Sequence, residues 1–296
     1  MAKAPRMERR WMMRSDFVAL ILSHGRADNV KTFDSLRKHG YTGRIVIVID
    51  NEDDQAQDYY AIFGRDNVVM FDKAKYSECM DESDNFGKRG VIIYARNVCF
   101  DVARDLGYKY FIELDDDYQS FSYRHDSAGV FREKNCYQLD QVFELMVYFL
   151  ELDKRIKSVC ITQHGDYVGG AGGSFGDIRL HRKAMNSFVC SVERPFKFVG
   201  RINEDVTTYT TNGSRGELFF TLPTLCLGQT TTQANAGGMS DAYLQSGTYL
   251  KSFYSVMYSP SSVKISAMGA VDKRIHHQVT WKFAVPKILQ EKWRKV

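Results

Sequence analysis

Three adjacent aspartates, residues 115–117, directly follow the largely apolar segment 110–114 and are the strongest chemical signal in the chain. Because like charges at this spacing repel, a fold gains from grouping them only where a cation offsets the repulsion. In open α/β sheets, ligands collect at the carboxyl ends of the strands. We therefore expect a divalent-metal site here that holds a phosphorylated substrate, with a solvated acidic turn as the alternative.

Two further carboxylates and a histidine pair are also suited to chemistry. Glu204 and Asp205 follow a short apolar segment, and a carboxylate in a partly buried cleft is a natural general base for an alcohol nucleophile. The alternative is a helix start with acidic residues in its first turn. His276 and His277 are candidates for contact with a metal or phosphate, with a structural role as the alternative. Adjacent side chains on a strand point to opposite faces, so at most one should face a site.

A basic cluster lies just before and on a predicted helix. It comprises Lys88, Arg89, Arg96 and Asn97. Guanidinium and ammonium groups suit contact with a nucleotide or a diphosphate. A solvated basic helix face is the alternative.

The elements that position these groups are predicted from the apolar pattern. Buried strands are predicted at 17–22, 45–49, 68–71 and 110–114, with helices at about 29–39 and 91–106 between them. Continuous apolar strands that alternate with helices indicate an α/β fold whose mostly parallel sheet is covered on both faces. Polar residues end three of these strands, at 23–28, Asp50 and 115–117. A doubly wound sheet would bring these strand ends to one rim.

The second half of the chain differs in composition. A helix at about 139–153 and a strand at 158–162 precede the glycine-rich segment 169–176, which contains Gly172 and Gly173. This segment lacks the ending of a phosphate-binding P-loop, so we interpret it as a lid or acceptor-site loop, with a plain connector as the alternative. A second glycine pair, Gly237 and Gly238, lies in a polar, tyrosine-rich stretch.

Composition indicates a globular protein with a sizeable core. The chain has 296 residues, of which 44% are hydrophobic and 13% aromatic, and a formal charge of +4. Basic residues crowd both termini, a pattern that fits either a polyanion partner or solvated tails. Six scattered cysteines without metal-ligand spacing are typical of reduced core residues in a cytoplasmic protein. No segment has the pattern of a secretion signal or a membrane span, so neither is expected.

The ordered set of motifs over residues 16–205 resembles the nucleotide-sugar-dependent glycosyltransferases of the GT-A fold. The set comprises residues 23–28, Asp50, Gly90 with 95–97, 114–117 and 204–205. The resemblance implies that Ser23, Arg26, Asp28, Asp50, Lys88, Arg89, Arg96, Asn97, Asp115 and Asp116 surround the donor, most often a UDP-sugar. It implies that Asp117 binds Mn²⁺ or Mg²⁺, that Asp115 contacts ribose or metal, and that Asp205, beside Glu204, is the base of an inverting enzyme.

The C-terminal half looks like the phage TET-associated glycosyltransferases, relatives of the base J glucosyltransferase. The matching segments are 237–239, 249–252, 260–264 and 274–277. This resemblance implies transfer of a sugar to the hydroxymethyl group of a 5-hydroxymethylpyrimidine in DNA. It suggests acceptor roles for Gly237, Gly238 and Tyr249, and a place for His276 and His277 beside the metal. The acceptor role of Gly172 and Gly173 is inferred only from the glycine-rich composition of their segment.

The predicted organisation is a basic tail at 1–15 followed by one glycosyltransferase domain at 16–296. Residues 16–120 would form the nucleotide-sugar half and 121–296 the acceptor half. The expected location is the cytoplasm, that of the host if the protein belongs to a phage. Two alternatives remain: a GT-A enzyme that acts on a small-molecule, lipid or polysaccharide acceptor, and a noncatalytic DNA-binding module that keeps the fold. The intact acidic motifs argue against the second.

Overall fold

The structure is a computed structural model that describes residues 13–77, 89–125, 128–163, 184, 186–229, 250–268 and 274–285. Its strands are β1 (Phe17–Leu22), β2 (Arg44–Asp50), β3 (Val68–Phe71), β4 (Tyr110–Asp115), β5 (Tyr118–His125), β6 (Phe131–Asn135), β7 (Ile156–Gln163), β8 (Ser187–Ser191), β9 (Leu218–Gln229), β10 (Val263–Met268) and β11 (Arg274–Val279). Its helices are α1 (Lys31–Lys38), α2 (Ala56–Phe63), α3 (Lys73–Ser77), α4 (Ile93–Asp105), α5 (Leu139–Glu151), α6 (Glu204–Ser214), α7 (250–258) and α8 (Trp281–Ala284).

Nine of these strands form one central sheet, in the order β3-β2-β1-β4-β8-β7-β9-β5-β6. Strands β3, β2, β1 and β4 are all mutually parallel, as the apolar pattern predicts. Along the rest of the described sheet, β8 and β5 run against the other strands. The predicted α/β fold with a mostly parallel sheet is therefore confirmed, and its second half is mixed.

Alternating side chains of the central strands pack into two cores on opposite faces of the sheet. Phe17, Ala19 and Ile21 of β1 belong to the core that includes residues of α1, α2 and α5. Val18, Leu20 and Leu22 belong to the core that includes residues of α4 and α6. All six residues of β1 are buried, which is why its sequence is a continuous apolar run.

The acidic motif lies where this packing directs it. Strand β4 pairs with β1 so that Asp115 lies opposite Leu22, at the shared carboxyl end of the parallel strands. The motif turns directly into β5, which pairs with β9 on the far side of the sheet. The acidic turn therefore carries the chain from β4, in the first half of the sheet, to β5, in the second half.

The C-terminal elements lie next to α6. Strands β10 and β11 form a two-stranded antiparallel sheet, and the Trp281 ring of α8 stacks on Tyr209 of α6 with centroids 5.6 Å apart. Five cysteines of the described segments are buried free thiols, as expected, and Cys79 lies outside those segments. None of the described helices has the length and apolar character to cross a membrane.

Candidate active site

Thr32, in the first turn of α1, holds the backbone of the acidic turn. Its N–H donates to the Asp116 carbonyl oxygen at 3.1 Å, and its Oγ1 donates to the Asp115 carbonyl oxygen at 2.6 Å. The same Oγ1 accepts from the Tyr118 N–H at 2.9 Å. One buried hydroxyl therefore satisfies backbone groups on both sides of the turn and fixes its path.

Asp116 joins this turn to the loop that follows β1. Its carboxylate accepts from Ser23 Oγ at 2.7 Å and from Arg26 Nη1 at 3.1 Å. Burial raises the pKa of Asp116, although Ser23 and Arg26 both oppose that shift. The Ser23 hydroxyl also lies 2.7 Å from Tyr59 Oη. The structure thus brings together three predicted donor-site residues, and Asp116 points into protein contacts.

Asp50, at the end of β2, anchors the other side of the same loop. Its Oδ2 lies 2.8 Å from His24 Nδ1 and accepts from Lys73 Nζ at 3.0 Å. Burial raises the pKa of Asp50, but the contacts with His24 and Lys73 outweigh it and leave the pKa below its ordinary value. His24 is the most exposed of the three side chains.

Two further predicted donor residues lie at the surface near this loop. Asp28 is exposed in a single 3₁₀ turn at Ala27–Asn29. Arg89 donates from Nε to Glu52 Oε1 at 2.8 Å. Asp28 thus belongs to the loop that follows β1, and Arg89 contacts the loop that follows β2.

Asp117 lies at the start of the path into β5. Gln229 Nε2, at the end of β9, is 3.5 Å from Asp117 Oδ2, and Gln163 Nε2 donates to Gln229 Oε1 at 3.2 Å. Burial raises the pKa of Asp117, and the neighbouring charge of Asp116 raises it further. A cation beside this carboxylate would oppose both effects.

Arg96, on α4, lies at the centre of a buried ion-pair cluster. Its Nε donates to Glu204 Oε1 at 2.9 Å and its Nη1 to Glu113 Oε1 at 3.2 Å. Its Nη2 donates to Asp115 Oδ1 at 3.0 Å and to Asn186 Oδ1 at 3.2 Å. Only 1% of the Arg96 side chain is exposed. The guanidinium therefore points into the protein, and all three of its nitrogens donate hydrogen bonds to protein side chains.

Three carboxyl groups surround the single guanidinium of this cluster. Burial raises the pKa of Glu113 to about 8 and that of Asp115 to about 7, although Arg96 lowers both. Burial lowers the pKa of Arg96, yet the three carboxylates outweigh it and keep the guanidinium charged. Asp115, at the edge of this cluster, and Asp117, in the same turn, offer the hard oxygen ligands that suit a divalent ion.

The described side chains supply only part of a metal shell. No three His, Cys, Asp or Glu side chains in the described segments are arranged to hold an ion. Mg²⁺ commonly binds through one or two carboxylates while substrate phosphates and waters complete the shell. The acidic turn fits that arrangement.

Asn97, next to Arg96, points to the segment that precedes α6. Its Oδ1 accepts from the Phe198 N–H at 2.9 Å and its Nδ2 donates to the Phe198 carbonyl oxygen at 3.1 Å. The side-chain amide supplies one acceptor and one donor, and both are used on the backbone of Phe198. The structure therefore places Asn97 in support of the loop at 196–203.

Glu204 and Asp205 form the first turn of α6, the placement that the sequence left open as an alternative to a base. Asp205 Oδ1 accepts from the Val206 N–H at 2.8 Å, and Asp205 is 5% exposed. Burial and the charge of Glu204 raise the pKa of Asp205 to about 6. A helix start and a general base are compatible, because a carboxylate with this pKa is ionised near neutral pH and still basic.

The residue before this pair links it to the C-terminal elements. Asn203 adopts the left-handed conformation, with φ of 53°, and its Nδ2 donates to the Lys251 carbonyl oxygen at 2.6 Å. The same Nδ2 lies 3.4 Å from His277 Nδ1. The rings of His276 and His277 lie 4.3 Å apart, closer than side chains on opposite faces of a strand would be. His277 is thus placed beside the acidic pair, and metal binding by either histidine stays a prediction.

The part of the chain that carries both acidic motifs matches a known protein family. The profile of the TET-associated glycosyltransferase family matches residues 17–238. The chain belongs to this family. The family predicted from the sequence is confirmed. No match was found among curated proteins.

Distant similarity extends to solved glycosyltransferase structures. Glucosyl-3-phosphoglycerate synthase from Mycobacterium tuberculosis, in complex with Mn²⁺, UDP and phosphoglyceric acid, is 11% identical, with 90% of this chain and 87% of that one covered at a TM-score of 0.46. The mannosyltransferase PcManGT from Pyrobaculum calidifontis, in complex with GDP-Man and Mn²⁺, is 13% identical, with 85% and 78% covered at 0.43. S. aureus TarS (1–349) is 13% identical at a TM-score of 0.43, with 72% of this chain and 59% of that one covered. This chain therefore spans less than two thirds of the length of that TarS chain.

Several predicted site residues of this TET-associated glycosyltransferase lie outside the described segments. They are Lys88, Gly172, Gly173, Gly237, Gly238 and Tyr249. Of the aromatic residues near Tyr249, Tyr254 is 2% exposed and its hydroxyl accepts from the Arg201 N–H at 3.2 Å. Tyr254 is therefore part of the core.

Sequence reasoning missed three residues that shape the site. Thr32 braces the acidic turn, while Glu113 and Asn186 bind Arg96. Glu113 carried a signal, since a charged residue inside a buried strand needs an oppositely charged partner. Thr32 and Asn186 carried none, because their contacts depend on elements distant in sequence.

Proposed function

We propose that this TET-associated glycosyltransferase transfers a sugar from a nucleotide-sugar to the hydroxymethyl group of a 5-hydroxymethylpyrimidine in DNA. The observation that carries the proposal is the link from Asp115 through Arg96 to Glu204, which ties the acidic turn to the acidic pair. Glycosyl transfer from a nucleoside-diphosphate sugar needs one group that stabilises the leaving diphosphate and one that accepts the proton of the incoming hydroxyl. The two motifs supply one each.

The donor would bind at the carboxyl ends of β1, β2 and β4. The loop after β1 presents His24 and Arg26, and the ion pair of Arg89 with Glu52 lies at the rim. Asp117, with Asp115, would hold Mn²⁺ or Mg²⁺. When bound, that ion would neutralise charge on the departing nucleoside diphosphate. A UDP-sugar is the donor that we propose to test first.

Asp205 is proposed as the general base. Its pKa of about 6 leaves it ionised at pH 7, and its place in the first turn of α6 fixes the carboxylate by the Val206 N–H. The base would take the proton of the acceptor hydroxyl as its oxygen attacks the anomeric carbon and the diphosphate departs from the opposite face. Such a displacement inverts the anomeric configuration.

The acceptor assignment rests on the family and on charge. The family name associates the enzyme with TET, and the chain carries a net charge of +4 with basic residues crowded near both termini. Lysine and arginine near DNA phosphates would supply affinity, and the modified base would supply the hydroxyl. That hydroxymethyl group lies in the major groove of a duplex, so the enzyme either works there or flips the nucleotide out.

A panel of donors and acceptors tests the proposal. The full chain with Mn²⁺ is incubated with radiolabelled nucleotide sugars and with duplexes that contain 5-hydroxymethylcytosine, 5-hydroxymethyluracil or neither. We expect label in one or both modified duplexes and none in the unmodified one, with the product verified by mass spectrometry of the digested nucleosides. Transfer to a sugar, lipid or polysaccharide acceptor, with none to either modified duplex, would overturn the DNA assignment and leave a glycosyltransferase of another acceptor class.

A further inference from the structure

Arg96 is enclosed by partners drawn from separate elements. Glu113 and Asp115 belong to β4, Glu204 begins α6, and Asn186 precedes β8. Arg96 itself lies on α4, and its guanidinium lies within 6 Å of the Phe188 and Phe198 ring centroids. With its three nitrogens bonded and 1% of the side chain exposed, Arg96 has no face left for a donor.

We propose that Arg96 is a positioning residue, which fixes Glu204 and the first turn of α6 at a set distance from Asp115. This inference rests on the proposed transfer reaction and deepens it. It replaces the expectation from the sequence that Arg96 contacts the donor. Its chemical content is that one rigid, planar fork spaces Glu204, and with it the helix turn that carries the proposed base Asp205, from the acidic turn that would hold the metal and the diphosphate.

The geometry of the guanidinium suits this role. Its donors leave in fixed directions within one plane, so carboxylates bonded to different nitrogens are held at a fixed separation and angle. A lysine ammonium at the same place keeps the charge but has no fixed fork, so it cannot set that separation. The two reacting partners in a displacement must approach along one line, and an error of about 1 Å costs on the order of a hundredfold in rate.

Glu113 explains why the fork is so strongly anchored. It is fully buried in the middle of β4, with 0% exposure, and accepts from Nη1. It lies two residues before Asp115 on a strand, so both side chains project from the same face of the sheet toward α4. Because both belong to one strand, Arg96 is oriented by the sheet, and the partner that it then positions is the helix start at Glu204.

The test is a double-mutant cycle between Arg96→Lys and Glu204→Gln, with Arg104→Lys as the matched control. Arg104 lies on the same helix, is exposed, and pairs with Asp101. If Arg96 acts through Glu204, Arg96→Lys lowers kcat about a hundredfold, and adding it to Glu204→Gln lowers kcat by less than about threefold more. The affinity for UDP with Mn²⁺, measured by titration calorimetry, stays within about threefold of wild type, and Arg104→Lys behaves as wild type.

Three results would overturn the inference. The first is a double variant whose loss in kcat equals the product of the losses in the two single variants. The second is an unchanged kcat in Arg96→Lys, and the third is a fall in UDP affinity that accounts for the whole loss in kcat/KM. The last result would return Arg96 to the donor site. A wild-type protein that transfers no sugar in the panel would instead refute the proposed function. In that case the same cycle, run on thermal unfolding midpoints, still tests whether Arg96 and Glu204 are coupled, because an additive result contradicts the contact.

A second variant guards against failure of Arg96→Lys to fold, judged by circular dichroism. Asn186→Gly removes the neutral acceptor of Nη2, and glycine adopts the φ of 50° at this position without strain. We expect a fall of about threefold to tenfold in kcat that disappears in the Glu204→Gln background. A loss of equal size in both backgrounds would contradict the proposed role of Arg96.

Discussion

Thr32 Oγ1 donates a 2.6 Å hydrogen bond to the carbonyl oxygen of Asp115, so the first helix of the chain braces the turn that follows its fourth strand. The two residues are 83 positions apart. The bond means that the acidic turn is shaped by a residue outside β4 and β5, the two strands that it connects. A substitution that removes this contact should therefore shift the positions of the carboxylates in the turn while leaving all of them present.

The first prediction concerns this brace. Thr32→Val keeps the shape but leaves the Tyr118 N–H without its acceptor, whereas Thr32→Ser keeps the hydroxyl. Leaving a buried donor unsatisfied costs about 1–3 kcal/mol, so Thr32→Val should lower the unfolding midpoint by several degrees. The looser turn should also raise the Mn²⁺ concentration needed for half-maximal activity by about tenfold. Thr32→Ser should restore most of both, and equal metal requirements in the two variants would contradict the assigned role.

The second prediction concerns the metal. Asp117→Asn should lower turnover by about a thousandfold or more while the circular dichroism spectrum and unfolding midpoint stay near wild type, because the lost charge is needed only at the leaving diphosphate. Chelation of divalent ions should lower the turnover of the wild type to the same extent. Asp34→Asn, an exposed acidic change on α1, is the control and should leave the rate unchanged. Full activity in chelator would show that the acidic turn has another purpose.

The first half of the fold was predictable because its strands are buried on both faces. Strands β1 and β2 are continuous apolar runs, and helices of clear period separate them. Strand β6 is mostly exposed and polar, and β5 alternates irregularly, so neither has an apolar run to reveal it. The pairing of β5 with β9 joins residues about a hundred positions apart, which no local pattern encodes.

The sequence predicts the residue types of the candidate site but not the directions in which their side chains point. The carboxylates at 115–117 and 204–205 lie at a strand end and a helix start, as their flanking patterns indicate. Arg96 and Asn97 were expected to face the donor, yet they point to Glu204 and to the Phe198 backbone. Their partners lie at 186–204, about a hundred positions along the chain, and no local pattern encodes these contacts.

The third prediction concerns binding to DNA. If basic side chains near the N-terminus contact phosphates, replacing Lys3, Arg6, Arg9 and Arg10 by Gln should weaken binding to modified and unmodified duplexes equally. The slope of log affinity against log salt should become shallower by up to about 0.9 for each phosphate that is no longer neutralised. The matched control replaces four exposed basic residues elsewhere, Lys38, Arg65, Lys134 and Lys154, with Gln. An equal effect of both sets would indicate a general charge effect and no specific surface.

The fourth prediction concerns the pH dependence of transfer. The groups that face Asp205 are Glu204, which with burial raises its pKa to about 6, and Arg96 and Lys251, which oppose the rise. A base acts when it is ionised, so kcat should fall about tenfold per pH unit below about 6. Asp205→Asn should lower kcat by about a hundredfold to ten-thousandfold and remove this limb, while the UDP affinity with Mn²⁺ stays near wild type. A variant that loses donor binding and keeps its kcat would place Asp205 in the donor site.

The fifth prediction is that the Asp205 carboxylate makes the stability of the folded protein depend on pH. Because the pKa of Asp205 is higher in the folded chain than its ordinary 3.8, the folded state binds more protons between pH 3.8 and about 6. Raising the pH through this window therefore destabilises the wild type, and the penalty is complete above about 6. Asp205→Asn keeps an acceptor for the Val206 N–H but carries no charge. Its unfolding midpoint relative to wild type should therefore be higher at pH 8 than at pH 4, and a difference that does not change with pH would mean that the Asp205 carboxylate has an ordinary pKa in the folded protein.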